Sequence, residues 1–250
     1  MPEEERVLVL SIAKGSVPLY MQIKDLLVAR VTKGEWVPGD IIPSEMQLAQ
    51  QLDVSQGTVR KAITELVENH VLVRRQGRGT FIATHDNDLA LFHFFHIVSD
   101  SGDKNLPECK TISCRRKRAS RQEASKLGIS SGSRVICIER IRELDNLPTI
   151  VETITLPTDL FNDLGKQQAC ELPNTLYELY ETQFGITIHR ADEQLRAVAA
   201  SDYDESLLGL EPGTPLLEIE RIALTLDGTP VELRKSRCNT TRHYYQNSVL

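Results

Sequence analysis

Residues 43–82 read PSEMQLAQQLDVSQGTVRKAITELVENHVLVRRQGRGTFI, and this run decides the fold of the N-terminal part. Ser44 suits a helix start, and Gln47 three residues on completes a capping box. Leu48 and Leu52 share one face of that helix, which ends at the turn Leu52-Asp53-Val54. Ser55 then caps a second helix whose apolar positions are Val59, Ala62, Ile63, Leu66 and Val67, the stripe of an amphipathic helix with one buried side. The leading end of that helix presents Gln56, Thr58, Arg60 and Lys61, side chains able to reach bases or phosphates. Two short helices joined by a tight turn, the second polar at its leading end, predict a helix-turn-helix.

A two-stranded ribbon follows. Val71–Arg75 and Thr80–Ile82 flank Gln76-Gly77-Arg78-Gly79, where glycine allows positive φ and a close backbone approach to a groove. Arg75 and Arg78 flank the tip, placed as arginines that enter a narrow minor groove. Upstream, Tyr20–Lys33 carries Ile23, Leu26, Leu27 and Val31 on one face and stops at Gly34. Three helices and a hairpin predict a winged helix-turn-helix.

Charge agrees once it is divided. The formal net charge is −6, but residues 1–83 hold ten basic and ten acidic side chains, so the whole deficit lies in 84–250. Within 54–82 five basic residues face two acidic ones, and the local sign at the contact surface governs attraction to DNA. The chain of 250 residues suits two domains. No apolar run is long enough to span a membrane, and the first residues, Met1-Pro2-Glu3-Glu4-Glu5, are unlike a signal peptide. Five scattered cysteines (Cys109, Cys114, Cys137, Cys170, Cys238) lack paired C-x-x-C spacing, which favours reduced thiols in a cytoplasm over a zinc site or a Cys109/Cys114 redox switch.

The run 43–82 resembles the DNA-binding head of GntR-type bacterial transcription regulators, which read P-S-E-x-x-L-A, then V-S-x-x-T-V-R, then a Q-G-x-G-T-F wing. The resemblance extends from Val17 to about Ala83. It implies DNA contacts from Ser44, Glu45, Ser55, Gln56, Gly57, Thr58, Arg60, Lys61, Arg75, Gln76, Gly77, Arg78, Gly79 and Thr80. Met46 and Gln56 stand where the family often has Arg. Arg on guanine and Gln on adenine are different base contacts, so the docking carries over while the usual operator sequence is not implied.

The remainder repeats itself at a spacing of 81 residues. Ala119–Arg142 lies over Ala200–Ala223 with ten of 24 positions identical. In each copy a serine (Ser120, Ser201) caps a short helix with an acid three residues later, and the helix ends at Gly128 or Gly209. A strand, a turn (Asp145-Asn146, Asp227-Gly228) and a return strand from near Pro148 or Pro230 follow. Between the copies, Leu176–Phe184 reads as a helix capped by Thr175 with Glu178 and closed by Gly185, and Ile186–Ala200 as a long strand. Two such units predict an α+β domain built on an antiparallel sheet.

Along Arg134–Arg142, alternation places Ile136, Ile138, Arg140 and Arg142 on one face. Adjacent like charges facing inward are costly unless an anion joins them, and a carboxylate or phosphate held by bidentate hydrogen bonds would do so. Arg140 has a twin in Arg221, so a structural salt bridge explains it equally well, whereas Arg142 lies over Ala223. His93-Phe94-Phe95-His96 reads as an aromatic strand rather than a metal pair, since H-x-x-H on a strand sends the rings to opposite faces. Arg115–Arg118 reads as an edge strand with a solvated face, with a secondary phosphate patch as the alternative.

This half resembles the UTRA effector-binding domain, related in fold to chorismate lyase, which marks the HutC-like branch of GntR regulators. The shared pieces are the two helix–Leu-Gly–strand units, Arg140-Ile141-Arg142, Thr175-Leu176-Tyr177 and Pro230-Val231-Glu232. The resemblance implies an effector pocket formed by Arg140, Arg142, Glu152, Thr175, Tyr177 and Glu232. Leu233 and Cys238 replace tyrosines frequent in the family, which leaves room for a more apolar effector than a sugar phosphate. The expected organisation is a winged helix-turn-helix at 16–83, a linker at 84–91 and a UTRA domain at 92–247.

The reading that follows is a cytoplasmic, nucleoid-associated repressor. It binds an inverted-repeat operator in double-stranded DNA as a homodimer and answers to a small carboxylate or phosphate ligand, with no cofactor and no membrane partner. The alternatives are an enzyme of chorismate lyase-like fold, against which no nucleophile–base pairing, metal set or phosphate loop can be identified, and a DNA-binding protein with no effector.

Overall fold

Ser44 and Ser55 set the two helix starts of the head in the computed structural model, which describes residues 17–84, 95–101, 107–162, 164 and 172–247. Helix α1 (Leu19–Thr32) follows Pro18, whose fixed φ suits an entry to a helix, and buries Ile23, Leu26 and Leu27. Ser44 caps α2 (Glu45–Leu52): its Oγ accepts from the Gln47 N–H, and Gln47 Oε1 accepts from the Ser44 N–H at 2.9 Å. Asp53 ends α2 in the left-handed region at φ 52°, a conformation that Asp tolerates better than most residues. Two residues later Ser55 caps α3 (Gln56–Glu68). Val59, Ala62, Ile63 and Leu66 of α3 are buried, and Val67 is half-buried at the edge of the stripe.

The wing pairs β1 (Leu72–Arg75) with β2 (Gly79–Ile82), from Leu72 opposite Ile82 to Arg75 opposite Gly79. Ile41 adds a single bridge to Phe81. Gly79 needs its missing side chain, because φ is +116° and a Cβ there would stand 3.0 Å from Ile41 Cδ1. The contact pattern divides the chain after Thr84. Of the expected linker at 84–91, only Thr84 is among the described residues.

The second unit is organised by its duplication. Six strands form one antiparallel sheet in the order β4-β5-β6-β9-β8-β7, with β4 (Glu108–Arg118), β5 (Arg134–Leu144) and β6 (Leu147–Pro157) mirrored by β7 (Arg190–Ala199), β8 (Pro215–Leu224) and β9 (Pro230–Asn239). A local two-fold therefore passes between β6 and β9. Each copy is one strand longer than the sequence reading, because β4 and β7 precede the capped helices. Those helices, α4 (Arg121–Leu127) and α6 (Asp202–Leu208), each carry a full capping box and end on a left-handed glycine. Each packs on the return strand of the other copy, α4 on β9 and α6 on β6. Even the register shifts are paired by the repeat, falling between Arg142 and Glu143 in one copy and between Ala223 and Leu224 in the other.

Helix α5 (Leu176–Phe184) covers the opposite face through a cluster that includes Ile136, Ile138, Ile154, Leu156, Phe161, Tyr180 and Val231. On that face too, β3 (Ile97–Ser99) pairs with β10 (His243–Tyr245), and Ile97 packs with Ile150, Ile219 and Cys238. Two expectations change here. The long strand read from Ile186 begins only at Arg190, because the Ile186 N–H turns back to the Tyr180 carbonyl and Ile188 is buried in the cluster. Thr175 stands at the N-cap of α5 but makes no side-chain capping bond to the backbone; its hydroxyl donates to Glu178 Oε2 at 3.0 Å.

The remaining motifs are structural where they are described. Arg115 pairs with Glu139 and Lys117 with Glu123, while Arg116 and Arg118 donate to the Asn162 and Gly132 carbonyls. Phe95 is partly buried and the His96 ring lies against Tyr245, while His93 and Phe94 lie outside the described residues. The thiols of Cys109, Cys114, Cys137 and Cys238 are free, and Cys170 lies outside the described residues. Among the described residues no helix is long and apolar enough to cross a membrane.

Candidate functional site

On the head, the exposed residues at the start of α3 are Ser55, Gln56, Gly57, Arg60 and Lys61. The Ser55 and Thr58 hydroxyls lie 2.7 Å apart, and Ser55 Oγ also accepts from the Thr58 N–H. Both are therefore engaged in the cap, which leaves Gln56, Arg60 and Lys61 as the freer side chains. Arg60 Nε donates to Glu45 Oε2 at 2.8 Å, while Glu45 Oε1 accepts from Arg74 at 3.2 Å. Exposed pairs of this kind contribute about 0–1 kcal/mol, so their effect is to aim two guanidiniums rather than to hold the fold. Lys61 Nζ lies 3.7 Å from the centroid of the Tyr20 ring, and Arg75 stacks on Phe81.

At the wing tip Gln76, Gly77 and Arg78 are exposed, with Gly77 at φ +70°, and the Arg78 N–H closes the turn on the Arg75 carbonyl. Gly79 and Thr80 then open β2. Arg74, which the sequence reading passed over, joins Arg60 through Glu45. Its signal was the Arg74-Arg75 pair, whose alternation sends the two side chains to opposite faces.

In the sheet, one face carries a chain of buried charges. Arg140 and Arg142 of β5 are 0% and 3% exposed, and Glu152 of β6 and Glu232 of β9 are buried as well. Arg140 lies opposite Glu152 in the register, and Glu152 opposite Ser236. Arg142 Nε stands 2.9 Å from Glu152 Oε2 in a buried ion pair. Arg234 bridges the two acids, with Nη1 3.5 Å from Glu152 Oε1 and with Nε and Nη2 each donating to Glu232 at 2.9 Å. Tyr177 and Tyr180 of α5 also donate to Glu232, at 3.2 and 2.7 Å. Arg234, Ser236 and Tyr180 were not singled out by sequence. Arg234 could have been, because aligning the return strands on Pro148 and Pro230 lays it over Glu152.

Arg140 differs from Arg142 and Arg234 in having no ion pair among the described residues. Its Nη2 donates to the Pro173 carbonyl at 2.7 Å, and Nε and Nη1 find no partner among the described residues. The repeat explains why. The twin, Arg221, has Glu193 opposite it on β7 and donates to that carboxylate at 2.6 Å. Opposite Arg140 on β4 stands Thr111. The edge-strand carboxylate that neutralises one arginine is missing from the other, so the structural salt bridge open at the sequence level applies to Arg221 and not to Arg140.

The electrostatics follow the same pattern. Burial alone would raise the Glu152 carboxyl, yet the charges of Arg142, Arg234 and Arg140 hold it at about 2. Burial, reinforced by the neighbouring charge of Arg142, pulls Arg140 below the ordinary guanidinium value. Burial and then the Glu232 carboxylate push Tyr177 up to about 12, so it donates as a neutral phenol. Thr175 and Asn174 stand at the start of α5 beside this group, and Arg140 also approaches the Asn174 carbonyl at 3.5 Å. Among the described residues no group of three or more His, Cys, Asp or Glu side chains is placed to hold a metal. Buried guanidinium donors of this kind suit an acceptor-bearing anion, and no activated nucleophile is found among the described residues of this face.

Comparison with known proteins identifies the family of each unit. Residues 19–82 match the family of bacterial regulatory proteins of the gntR type, and residues 103–244 match the UTRA domain. The chain is 29% identical over 224 residues to the HTH-type transcriptional repressor NagR of Bacillus subtilis, covering 89% of this chain and 91% of that one. It is also 29% identical over 205 residues to the histidine utilization repressor of Pseudomonas aeruginosa, covering 82% and 80%. Among solved structures, the ligand-binding domain of a GntR-family regulator from Bordetella bronchiseptica is 35% identical, with a TM-score of 0.56, covering 62% of this chain and 96% of that one. These matches make the chain a transcription regulator rather than an enzyme, and it belongs to the GntR family, in the HutC-like branch that joins a winged helix-turn-helix to a UTRA domain.

Proposed function

We propose that the protein is a homodimeric repressor that holds an inverted-repeat operator in double-stranded DNA and leaves it when a small acidic metabolite binds Arg140 and Arg142. The observation that carries this reading is the pair of buried guanidiniums, of which Arg140 Nε and Nη1 and Arg142 Nη1 have no hydrogen-bond partner among the described residues. A buried donor left unsatisfied costs about 1–3 kcal/mol, so an anion that reaches it gains what the empty site forgoes. In this reading Glu152 orients Arg142, while Thr175, Tyr177 and Glu232 form the wall on the α5 side. Residues 16–83 form the head, 84–91 the linker and 92–247 the effector domain of a protein that works in the cytoplasm, on the nucleoid.

On DNA, Gln56 and Gly57 approach the base edges from the start of α3 with Ser55 and Thr58 behind them. Arg60 and Lys61 flank the bases, held by Glu45 and Tyr20 respectively. Ser44 shapes the start of α2, and Arg75, Gln76, Gly77, Arg78, Gly79 and Thr80 carry the wing to an adjacent groove or phosphate. Relatives named as repressors, one of them of histidine utilization, support control of a catabolic operon by its own metabolite. A single head contacts few base pairs, and two-fold symmetry doubles them at a fixed half-site spacing.

The test is a footprint on the chain's own upstream region, combined with sedimentation of the complex. Two symmetric half-sites under one dimer, released by an acidic metabolite that is not turned over, are expected. A single asymmetric half-site occupied by a monomer would refute the dimer, and turnover of the ligand would refute the regulator.

A further inference from the structure

The charge and hydrogen-bond inventory of the sheet face narrows the ligand. This step rests on the reading above, in which the anion binds at Arg140 and Arg142. In the connected cluster three guanidiniums (Arg140, Arg142 and Arg234) face two carboxylates, Glu152 and Glu232. Among the described residues one positive charge is left, and it lies at the Arg140 end. A single negative charge restores neutrality, whereas a doubly charged phosphate would leave a buried negative excess, which is costly in a medium of low polarisability.

The hydrogen-bonding groups are equally one-sided. Among the described residues three guanidinium donors are buried without a hydrogen-bond or ion-pair partner, Nε and Nη1 of Arg140 and Nη1 of Arg142, while Arg142 Nε stands 2.9 Å from Glu152 Oε2. Both glutamates that could accept from ligand hydroxyls are already engaged. Glu232 accepts from Arg234 twice and from Tyr177 and Tyr180 once each, which is the full complement of a carboxylate. Glu152 Oε1 accepts from Ser236 at 3.3 Å and is approached by Arg234. Glu152 Oε2 is ion-paired with Arg142 Nε at 2.9 Å. Among the described residues the face thus offers three unpaired guanidinium donors and no carboxylate oxygen without a partner. Apolar groups border it along the sheet: Phe95 stacks on Arg142, and Ile138 and Ile150 are buried in adjoining clusters.

We infer that the effector is a small monocarboxylate with an apolar or aromatic body and at most one hydroxyl, and not a polyhydroxylated sugar acid or sugar phosphate. A buried ligand hydroxyl that finds no acceptor weakens binding by roughly tenfold or more.

The experiment uses the full-length protein and a matched pair of probes. Cyclohexanecarboxylate and glucuronate carry the same anion on a six-membered ring and differ chiefly in their hydroxyls. Dissociation constants are measured by calorimetry, with glucose 6-phosphate and inorganic phosphate as the doubly charged arm. Each probe is repeated on Arg140→Lys and Arg142→Lys, which keep the charge but lose the fork geometry, and folding of each variant is checked by its thermal transition.

Cyclohexanecarboxylate binding at least tenfold tighter than glucuronate and both phosphates, and weakened at least tenfold by either variant, is expected. Binding of glucuronate or glucose 6-phosphate equal to or tighter than cyclohexanecarboxylate, yet still dependent on the two arginines, overturns this inference and leaves the anion site standing. Binding indifferent to both arginines, or no binding by any probe, overturns the site itself. Because the discrimination is read on the wild type, it stands even where a variant fails to fold.

Discussion

Arg140 is a cost to the ligand-free protein, and replacing it with Met should make the domain more stable while silencing its response. Met is close in length and carries no charge, so Arg140→Met refills the space without donors. Two buried donors without partners disappear, each of which had cost about 1–3 kcal/mol. Against that stands the loss of the bonds to the Pro173 and Asn174 carbonyls, at 2.7 and 3.5 Å. Both of those residues are exposed, so water can replace the guanidinium on their carbonyls and the loss is small. The balance is a gain of roughly 1–3 kcal/mol, or an upward shift of a few degrees in the transition of a domain this size. Urea and thermal unfolding of the full chain without ligand would measure it, and a binding assay on operator DNA would show whether ligand still causes release. The reasoning fails if Arg140→Met unfolds several degrees below the wild type, because the guanidinium would then be paired and stabilising in the native state. It also fails if the variant keeps its response at wild-type ligand concentrations.

Three further outcomes are expected. Arg142→Ala should lose about two orders of magnitude in effector affinity, the worth of a charge-assisted contact, while a gel-shift titration shows operator binding nearly intact; it should also lower stability, since Glu152 keeps only the more distant Arg234. Arg78→Ala should weaken DNA binding across sequences and reduce the salt slope by about one, whereas Arg60→Ala should relax preference at one operator position at a cost of about 1–3 kcal/mol; anisotropy titrations on point-mutated operators at two salt concentrations separate the two. Glu152 is held at about 2 against an ordinary 4.5, so the stability it contributes is complete above pH 4.5 and lost as pH falls toward 2. That amounts to roughly 3 kcal/mol, visible as an acid-dependent drop in the urea midpoint that Glu152→Gln lacks.

The head was almost fully legible because its signals are local. A serine with Gln47 three residues on, an Asp at the turn and an i, i+3, i+4, i+7 stripe each act over one or two turns of chain, and each specifies its own piece of backbone. The effector face was legible only in part because its meaning depends on register between distant strands. Alternation along β5 put Arg140 and Arg142 on one side, yet nothing within that strand tells which residue lies opposite. Thr111 beneath Arg140 and Glu193 beneath Arg221 are set by strands that the repeat alignment did not include, since it began at Ala119 and Ala200. For the same reason Arg234 escaped notice, and Ala223 in the twin position made Arg142 look more dispensable to stability than its contact with Glu152 allows. The capping role expected of Thr175 failed for a smaller reason: Glu178 offers its hydroxyl an acceptor that competes with the backbone.

The duplication itself connects the fold to the function. Two copies related by a local two-fold solve the packing problem once, since each helix lies on the other copy's return strand and the paired bulges bend both halves alike. A symmetric sheet alone would carry two equivalent arginines, each neutralised by an edge-strand glutamate, with no reason to bind anything. Departures from symmetry create the proposed site. Thr111 in place of a glutamate unpairs Arg140, Arg142 in place of an alanine adds a second guanidinium, and Glu152 in place of Arg234 supplies the acid that holds it. Each change lies on the one face that α5 covers, within reach of Tyr177 and Tyr180 through Glu232. Restoring the symmetry should therefore erase the site without disturbing the sheet. Thr111→Glu would give Arg140 the partner that Arg221 already has, and the resulting protein should be at least as stable as the wild type, bind operator, and ignore the effector. If Thr111→Glu still releases DNA at wild-type ligand concentrations, the missing carboxylate is not what makes Arg140 available.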